Sequence, residues 1–202
     1  SSSAFHPGRS GMKRVTLIGD SIRMGYQQHV VTALQGRAEV WGPATNGGDS
    51  SKVRTHLTEW MQEGAADIIH LNCGLHDLRK SFDTGKAQID TESYRANLCY
   101  IFDAVAATGV SLIWAATTPV NEAWHHERKG FDRLEADVAA YNAIALEEAQ
   151  QRGIQVNDLH AVIENAGRDR LLSEDGVHFG DQGCTLLGDH VAACVQHCWG
   201  DE

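Results

Sequence analysis

The sequence predicts a three-layer α/β/α domain built on a parallel, five-stranded sheet. Short apolar runs alternate along the chain with longer segments of helical period, which is typical of a parallel sheet with right-handed crossovers and helices on both faces. The segments richest in glycine and in small polar or titratable residues follow the first four runs, where the site of such a sheet lies. A chain of 202 residues is long enough to bury the core of one domain.

Five short apolar runs are the predicted strands, and the first of them, Val15-Thr16-Leu17-Ile18, has the pattern of a buried strand. The strands are predicted at residues 15–18, 38–41, 67–71, 110–116 and 154–156. The helices between and after them are predicted at residues 23–34, 50–63, 91–107, 132–151 and 181–198. Gly109 and Gly153 are expected to end the third and fourth helices, Gly109 as a left-handed cap.

We find no repeat, low-complexity tract or domain linker, so residues 12–202 are predicted to form a single domain. Residues 1–11 are polar and glycine-containing and directly precede Met12. We interpret them as a cloning remnant, with a natural disordered tail as the alternative, and leave them out of the fold prediction.

The charge composition limits the kinds of binding partner that we expect. The net charge is −10, and Lys and Arg form no long run. This argues against nucleic acid or an anionic membrane surface as a general partner, although a local basic pocket is compatible with it. No apolar stretch approaches the roughly 20 residues of a membrane helix, and we see no secretory signal.

Cysteine usage favours a reducing, cytoplasmic setting. The five cysteines are odd in number and scattered, contain no CxxC pair and match neither a zinc site nor a disulfide framework. No dinucleotide or Walker loop is present, and the pair His125-His126 lacks the HExxH context of a metallohydrolase. We therefore expect neither cofactor nor metal.

Ser21 is the first candidate for chemistry, because it follows directly on the first predicted strand. A serine nucleophile needs an adjacent base, and the base needs a group that orients it. Asp175-Gly176-Val177-His178, just before the last helix, could supply both from one tight loop. The alternatives are structural: Ser21 could cap the next helix, and Asp175 could cap its own turn.

Two further loops could supply hydrogen-bond donors to a developing oxyanion. Gly48 lets the backbone approach a ligand closely, so its N–H could point into the site. His76, after the third strand, could offer a ring N–H. The alternatives are a plain turn at Gly47-Gly48 and a structural hydrogen-bonding role for His76.

Taken together and in this order, these segments resemble the SGNH hydrolases, the GDSL esterase/lipase superfamily, over residues 15 to about 195. Gly19-Asp20-Ser21-Ile22 is similar to the family's first block, and Gly48 to the glycine of its second. Gly74-Leu75-His76-Asp77 resembles the Gly-x-Asn-Asp of the third block, and Asp175-Gly176-Val177-His178 the Asp-x-x-His of the fifth. The fold that the resemblance implies is the flavodoxin-like arrangement predicted above.

The resemblance implies that Ser21 is the nucleophile, His178 the general base and then acid, and Asp175 its orienting group. It also implies an oxyanion hole formed by the N–H groups of Ser21 and Gly48 and by the side chain of the third-block Asn. Here His76 replaces that Asn. A neutral imidazole still donates one N–H, so the third donor could survive the change.

The expected function is hydrolysis of short-chain, chiefly acetyl, esters of a carbohydrate or another small polar alcohol. No apolar lid is present, and the segment after the fourth strand, residues 124–131, mixes aromatic, basic and imidazole groups. Trp124 and His125 within it could contact substrate, or the segment could be a solvated connector. Arg23 could bind a substrate or be an exposed first-turn residue.

Two alternative functions remain open. One is a thioesterase or lysophospholipase on the same fold. The other is a non-catalytic binding module in which His76 marks a degraded oxyanion hole. An α/β-hydrolase is disfavoured, since no Gly-x-Ser-x-Gly elbow occurs. The sequence makes no prediction of oligomeric state.

Overall fold

Five parallel strands form the central sheet of the structure, a computed structural model that describes residues 11–200. In chain order the elements are β1 Lys13–Ile18, α1 Ser21–Ala33, β2 Ala38–Trp41, α2 Ser50–Gly64, β3 Ile68–Leu71, β4 Lys80–Ser81, α3 Thr91–Ala106, β5 Ser111–Ala115, α4 Glu122–Arg128, β6 Phe131–Asp132, α5 Glu135–Gln151, β7 Gln155–Asn157, α6 Leu159–Ala166, α7 Arg168–Leu171 and α8 Asp181–Cys198. The strand order is β2-β1-β3-β5-β7. Helices α1 and α8 pack against each other, and α3 packs between α2 and α5. The predicted three-layer fold is confirmed.

The interior strands β1 and β3 are largely apolar because both of their faces are covered, as in other parallel sheets. In β1 and β3, Leu17, Ile18 and Leu71 are fully buried. Phe102 of α3 packs edge-on against Trp114 of β5, with 5.6 Å between ring centroids. The apolar core thus lies against the two faces of the sheet, and the predicted site residues lie at its edge.

Strand register brings the predicted site loops together. Ile18 pairs with Leu71, and Leu71 pairs with Trp114, so β1, β3 and β5 end side by side. The loops that begin at Gly19, Asn72 and Ala116 therefore leave the same edge of the sheet. This is the edge at which the sequence placed the site.

All five main strands and five long helices occur where they were predicted, with shifted ends. Helix α1 begins at Ser21 rather than residue 23, and α5 begins at Glu135 rather than residue 132, because residues 131–132 pair with β4 instead. Gly109 and Gly153 have left-handed φ values of 78° and 65°. Gly109 lies two residues beyond the right-handed cap of α3, so it does not itself cap that helix.

Five shorter elements were not predicted: β4, β6, α4, α6 and α7. Strands β4 and β6 are two residues long and pair with each other outside the main sheet. Segments this short carry too few residues to show a period. They matter nonetheless, because they position part of the site.

The five cysteines, all among residues 11–200, have free thiols, and Cys73 is buried. Among residues 11–200, every helix is too short or too polar to cross a membrane. The predicted cloning remnant, residues 1–11, lies outside the described residues except for Gly11.

Candidate active site

Ser21 is the first residue of α1, and its hydroxyl faces a histidine. The helix cap is Asp20, whose Oδ1 accepts a hydrogen bond from the Ile22 N–H at 2.9 Å. The alternative role of Ser21 as the cap is therefore wrong. Ser21 Oγ instead lies 2.7 Å from Nε2 of His178, within hydrogen-bonding distance.

His178 is held by Asp175 within one tight loop. His178 Nδ1 lies 2.6 Å from Asp175 Oδ2, and Asp175 Oδ1 accepts hydrogen bonds from the backbone N–H groups of Val177 and His178 at 3.0 and 2.9 Å. Burial alone would raise the pKa of Asp175, but these hydrogen bonds outweigh it and hold the pKa well below its usual range. The carboxylate is thus charged, and it both caps its turn and orients the imidazole.

The loop that carries Asp175 and His178 rests on the start of α4. Gly176 has a φ of 73°, and its carbonyl accepts a hydrogen bond from the Asn121 N–H at 2.9 Å. A Cβ at Gly176 would lie 2.4 Å from the Asn121 carbonyl oxygen and 2.9 Å from the His125 nitrogen. Glycine is required here because the two backbones approach each other so closely.

The second predicted donor, Gly48, is already engaged. Gly48 has a φ of 68°, and its N–H donates to Asn46 Oδ1 at 2.8 Å. The loop is held against the first strand by the Gly47 N–H, which donates to the Gly19 carbonyl at 2.9 Å. The expectation of a free Gly48 N–H is therefore not met in this conformation. Asn46, which the sequence analysis did not identify, lines the site instead.

His76 lines the same cavity as Ser21 and His178. Burial lowers the pKa of His76; Arg133 and Arg79 act in the same direction, against the opposing effect of Asp20. The ring is therefore neutral at pH 7 and able to donate one N–H.

The next residue, Asp77, is fully buried and accepts the Ser50 N–H on both carboxylate oxygens at 3.0 Å, which ties this loop to α2.

The cavity around Ser21 has a volume of about 180 Å³. Its lining residues are Asp20, Ser21, Asn46, Leu75, His76, Arg79, Lys129, Phe131, Arg133, Val177 and His178. Lys129 and Phe131 belong to the segment 124–131 that was expected near the site, whereas the cations Arg79 and Arg133 were not predicted. They come from β4–β6 and its flanks, whose short strands left no sequence signal.

Arg23, proposed as a substrate ligand or an exposed residue, is neither cavity-lining nor exposed. It is 3% exposed, and all five of its N–H donors are used. Its Nε and Nη2 groups donate to the Gly19 carbonyl, and the remaining donors reach Gln27 Oε1 and the carbonyls of Pro43 and Thr45. The guanidinium thus joins the two loops that follow β1 and β2.

The predicted substrate contacts Trp124 and His125 are also absent from the lining of this cavity. Trp124 faces a separate surface cavity beside Leu172 and Glu174. His125 is fully buried, and burial, Arg133 and Lys129 lower its pKa to about 4. Its neutral Nε2 accepts a hydrogen bond from Arg133 Nη1 at 3.2 Å, so its role is to position that arginine.

Glu135, His160 and Glu164 form the one cluster of possible metal ligands found among residues 11–200. His160 Nε2 lies 2.6 Å from Glu135 Oε1, while Glu135 Oε2 accepts the Val120 N–H at 2.9 Å. Both oxygens of Glu135 thus have partners, which indicates a structural ion pair that fixes α5 to α6.

The model of the GDSL-like lipase/acylhydrolase family matches residues 17–186. No protein of curated function matches the chain. Among solved structures, a lipase/acylhydrolase from Enterococcus faecalis is similar with a TM-score of 0.77 at 20% identity, over 93% of this chain and 97% of that one.

Two acetyl xylan esterases are also similar in structure. The enzyme AlAXEase has a TM-score of 0.72 at 17% identity, over 90% of this chain and 98% of that one. Axe2 from Geobacillus stearothermophilus has a TM-score of 0.74 at 16% identity, over 96% of both chains. At these identities the likeness shows a shared fold.

Proposed function

The chain belongs to the GDSL-like lipase/acylhydrolase family of ester-hydrolysing enzymes, and from this premise we propose that it is a serine esterase that removes short acyl groups, acetyl above all, from a carbohydrate or similar polar alcohol. The observation that carries the proposal is the hydrogen-bonded line from Ser21 Oγ through His178 to Asp175. Serine, imidazole and carboxylate in this order form the arrangement that activates a hydroxyl at neutral pH.

In the proposed mechanism, Ser21 Oγ attacks the ester carbonyl carbon while its proton passes to His178 Nε2. The tetrahedral intermediate collapses, the C–O bond to the alcohol breaks, and His178 returns the proton to the leaving oxygen. Water, deprotonated by His178, then attacks the acyl carbon; the bond to Ser21 Oγ breaks, His178 returns the proton to Oγ, and the acid is released. Asp175 stays ionised throughout and stabilises the imidazolium.

Three groups are the proposed donors to the oxyanion. The Ser21 N–H lies in the first turn of α1, where backbone N–H groups lack partners within the helix and the helix dipole favours negative charge. His76 supplies a neutral ring N–H from the opposite loop. The third donor is the Gly48 N–H, provided that Asn46 Oδ1 releases it when substrate binds.

The size and polarity of the cavity support a short acyl group. About 180 Å³ lies below the range of roughly 300–1,000 Å³ typical of sites for larger ligands. Leu75, Phe131 and Val177 are its apolar lining residues, and the other eight are polar or charged. A long acyl chain would need a continuous apolar groove. The likeness to two acetyl xylan esterases agrees with acetyl as the acyl group.

Covalent labelling tests the nucleophile. We expect a fluorophosphonate probe to add one label to the native protein, as measured by intact mass. The label should be lost in Ser21→Ala and His178→Ala and kept in Ser111→Ala, which removes an exposed serine at the start of β5. A native protein that takes no label would support the binding-module alternative, and a label on another serine would contradict the proposal.

Chain length tests the acyl group. Aryl esters of two to twelve acyl carbons should be hydrolysed with a kcat/KM that falls as the chain lengthens. A maximum at eight or more carbons would contradict the acetyl-ester proposal and favour a lysophospholipase. A kcat/KM higher for a short acyl thioester than for its oxygen ester would instead favour a thioesterase.

A further inference from the structure

The cavity beside Ser21 is positively charged in a protein whose net charge is −10. Arg79, Lys129 and Arg133 line it, and Asp20 is the one carboxylate among its described lining residues. Asp20 Oδ1 is already bonded to the Ile22 N–H. The excess of positive charge is therefore local, and it lies where the substrate binds.

Two of the cations share an aromatic ring. The Arg79 guanidinium lies over the Phe131 ring with 4.6 Å between its central carbon and the ring centroid, and the Arg133 guanidinium lies at 5.0 Å. Within residues 11–200, no carboxylate oxygen lies at ion-pair distance from either arginine. Cation–π contacts orient the guanidinium groups but leave their charge uncompensated.

Arg133 is almost completely buried, with 6% of its surface exposed, and hydrogen bonds hold it in place. Its Nε donates to the Leu75 carbonyl at 2.7 Å, and its Nη1 donates to His125. Burial lowers the pKa of Arg133 to about 10; Arg79 acts in the same direction, against the opposing effects of Asp20 and Asp175. Burying one cation beside a second costs folding free energy, and an anion bound between them would lower that cost.

The third cation lies on the side of the catalytic histidine. Lys129 Nζ is 3.8 Å from Asp175 Oδ2, and that carboxylate is already hydrogen-bonded to His178. His178, which protonates the leaving alcohol in the proposed mechanism, lines the same cavity as Arg79, Lys129 and Arg133, so the cations lie within reach of the alcohol part of the ester.

We propose that the substrate carries an anionic group, a carboxylate or a phosphate, on its alcohol part, and that Arg79, Lys129 and Arg133 bind this group while Ser21 attacks the acyl carbonyl. The inference rests on the proposed esterase function and narrows its substrate to the acyl ester of an acidic alcohol, such as a sugar acid or a sugar phosphate. Guanidinium groups suit either anion, because their planar fork bonds two oxygens at once.

Matched acetyl esters test the charge preference. The set is phenyl acetate, 3-acetoxybenzoate, 3-acetoxyphenyl phosphate and 3-acetoxyphenyl-trimethylammonium, with monophenyl succinate carrying its charge on the acyl part. We expect 3-acetoxybenzoate or 3-acetoxyphenyl phosphate to exceed phenyl acetate in kcat/KM by about 10- to 100-fold, the worth of one charge-assisted contact. The order of these two identifies the anion. Equal rates for all esters, or preference for the cation or for the succinate, would overturn the proposal.

Variants of the cavity cations test whether these side chains cause the preference for anionic esters. Arg79→Gln and Lys129→Gln should each lower the ratio of kcat/KM between the preferred anionic ester and phenyl acetate by about tenfold. The matched control is Lys86→Gln, which removes an exposed cation outside the cavity and should keep the native ratio. A ratio that is unchanged in both cavity variants would contradict the assignment.

Binding without turnover separates this inference from the proposed function. Calorimetric titration of the native protein with 3-hydroxybenzoate, 3-hydroxyphenyl phosphate and the neutral 3-hydroxybenzamide measures the anion site whether or not any ester is hydrolysed. Binding of one anion, weakened by Arg79→Gln and not by Lys86→Gln, supports the anion site even in an inactive protein. Hydrolysis that depends on Ser21 but shows no preference for anions would leave the esterase proposal standing and remove this one.

Discussion

Among single residues, His76 is the one at which the chain departs from the third block of its family, where an Asn is expected. Its ring lines the cavity with Ser21 and His178. The pKa of His76 is lowered by burial first, with Arg133 and Arg79 adding to the effect. Burial, with these two arginines acting against Asp20, thus keeps the ring neutral, and a neutral ring can donate to an oxyanion without adding charge to the free enzyme.

His76→Ala should lower kcat by about 10²–10³, the usual cost of one lost oxyanion donor. His76→Asn should recover much of that loss, because an amide NH₂ restores a donor. Steady-state kinetics on a short aryl ester measures both, and thermal unfolding shows whether the variants are folded. Native turnover in a folded His76→Ala protein would remove His76 from the mechanism.

The residues that could be predicted from sequence are those whose partners lie in one short segment or follow a predicted strand. Asp175 and His178 are three residues apart, and Ser21 directly follows β1. The positions of Arg79, Lys129 and Arg133 depend on a two-residue strand pair and on a shared ring, which leave no period or motif. Arg23 was misjudged because an arginine in a first turn is usually exposed, whereas here loop carbonyls and the Gln27 side chain take all of its donors.

At the scale of elements, the loop that carries Asp175 and His178 is closed by its own hydrogen bonds and docked on its neighbour by backbone contact. The loop from Ser173 to Phe179 closes on itself, since the Ser173 N–H donates to the His178 carbonyl at 2.8 Å. It then docks on α4 through Gly176 and Asn121. Helix α4 therefore supports the catalytic pair, although none of its residues lines the cavity.

Gly176→Ala should disturb catalysis as well as stability, because its Cβ would collide with the backbone of Asn121 and His125. Gly109→Ala is the matched control: its φ is 78°, but no atom lies within 4 Å of the added Cβ. Both variants lose about 1–2 kcal/mol from a left-handed alanine. Only Gly176→Ala should lower kcat/KM, by about 10- to 100-fold, since small misplacements of catalytic groups are costly. Equal thermal unfolding and equal turnover in the two variants would contradict the docking role.

For the whole molecule, the sequence predicted the layers, the number of main strands and the edge that bears the site. It could do so because buried parallel strands and amphipathic helices impose their periods over many residues. The charge of the cavity was not predictable in this way. A net charge of −10 is a sum over the whole chain, and folding brings Arg79 beside Lys129 and Arg133, which lie on a distant segment of the sequence.

One buried carboxyl group, that of Asp77, is expected to make the stability of the whole protein depend on pH. Asp77 lies in the loop after β3 and is fully buried against the start of α2. Burial raises the pKa of Asp77 to about 7, despite the hydrogen bonds that it accepts from Ser50. The folded protein thus holds this proton more tightly than the unfolded chain, in which the pKa is about 4. The stability that Asp77 contributes is complete below pH 4 and is lost as the pH rises from about 4 to about 7.

Asp77→Asn should therefore gain stability relative to the native protein over this pH range, because the amide has no proton to lose. Self-repulsion of a protein with a net charge of −10 also grows with pH, but it affects both proteins, so it largely cancels in their difference. Urea unfolding at intervals from pH 4.5 to pH 8 measures that difference, which should grow by up to a few kcal/mol, about 1.4 kcal/mol for each unit of pKa shift, and level off above pH 7. Asp83→Asn, which removes an exposed carboxylate, controls for the loss of one negative charge. A difference for Asp77→Asn that stays constant with pH would show that Asp77 is ionised throughout, and that its hydrogen bonds with Ser50 outweigh its burial.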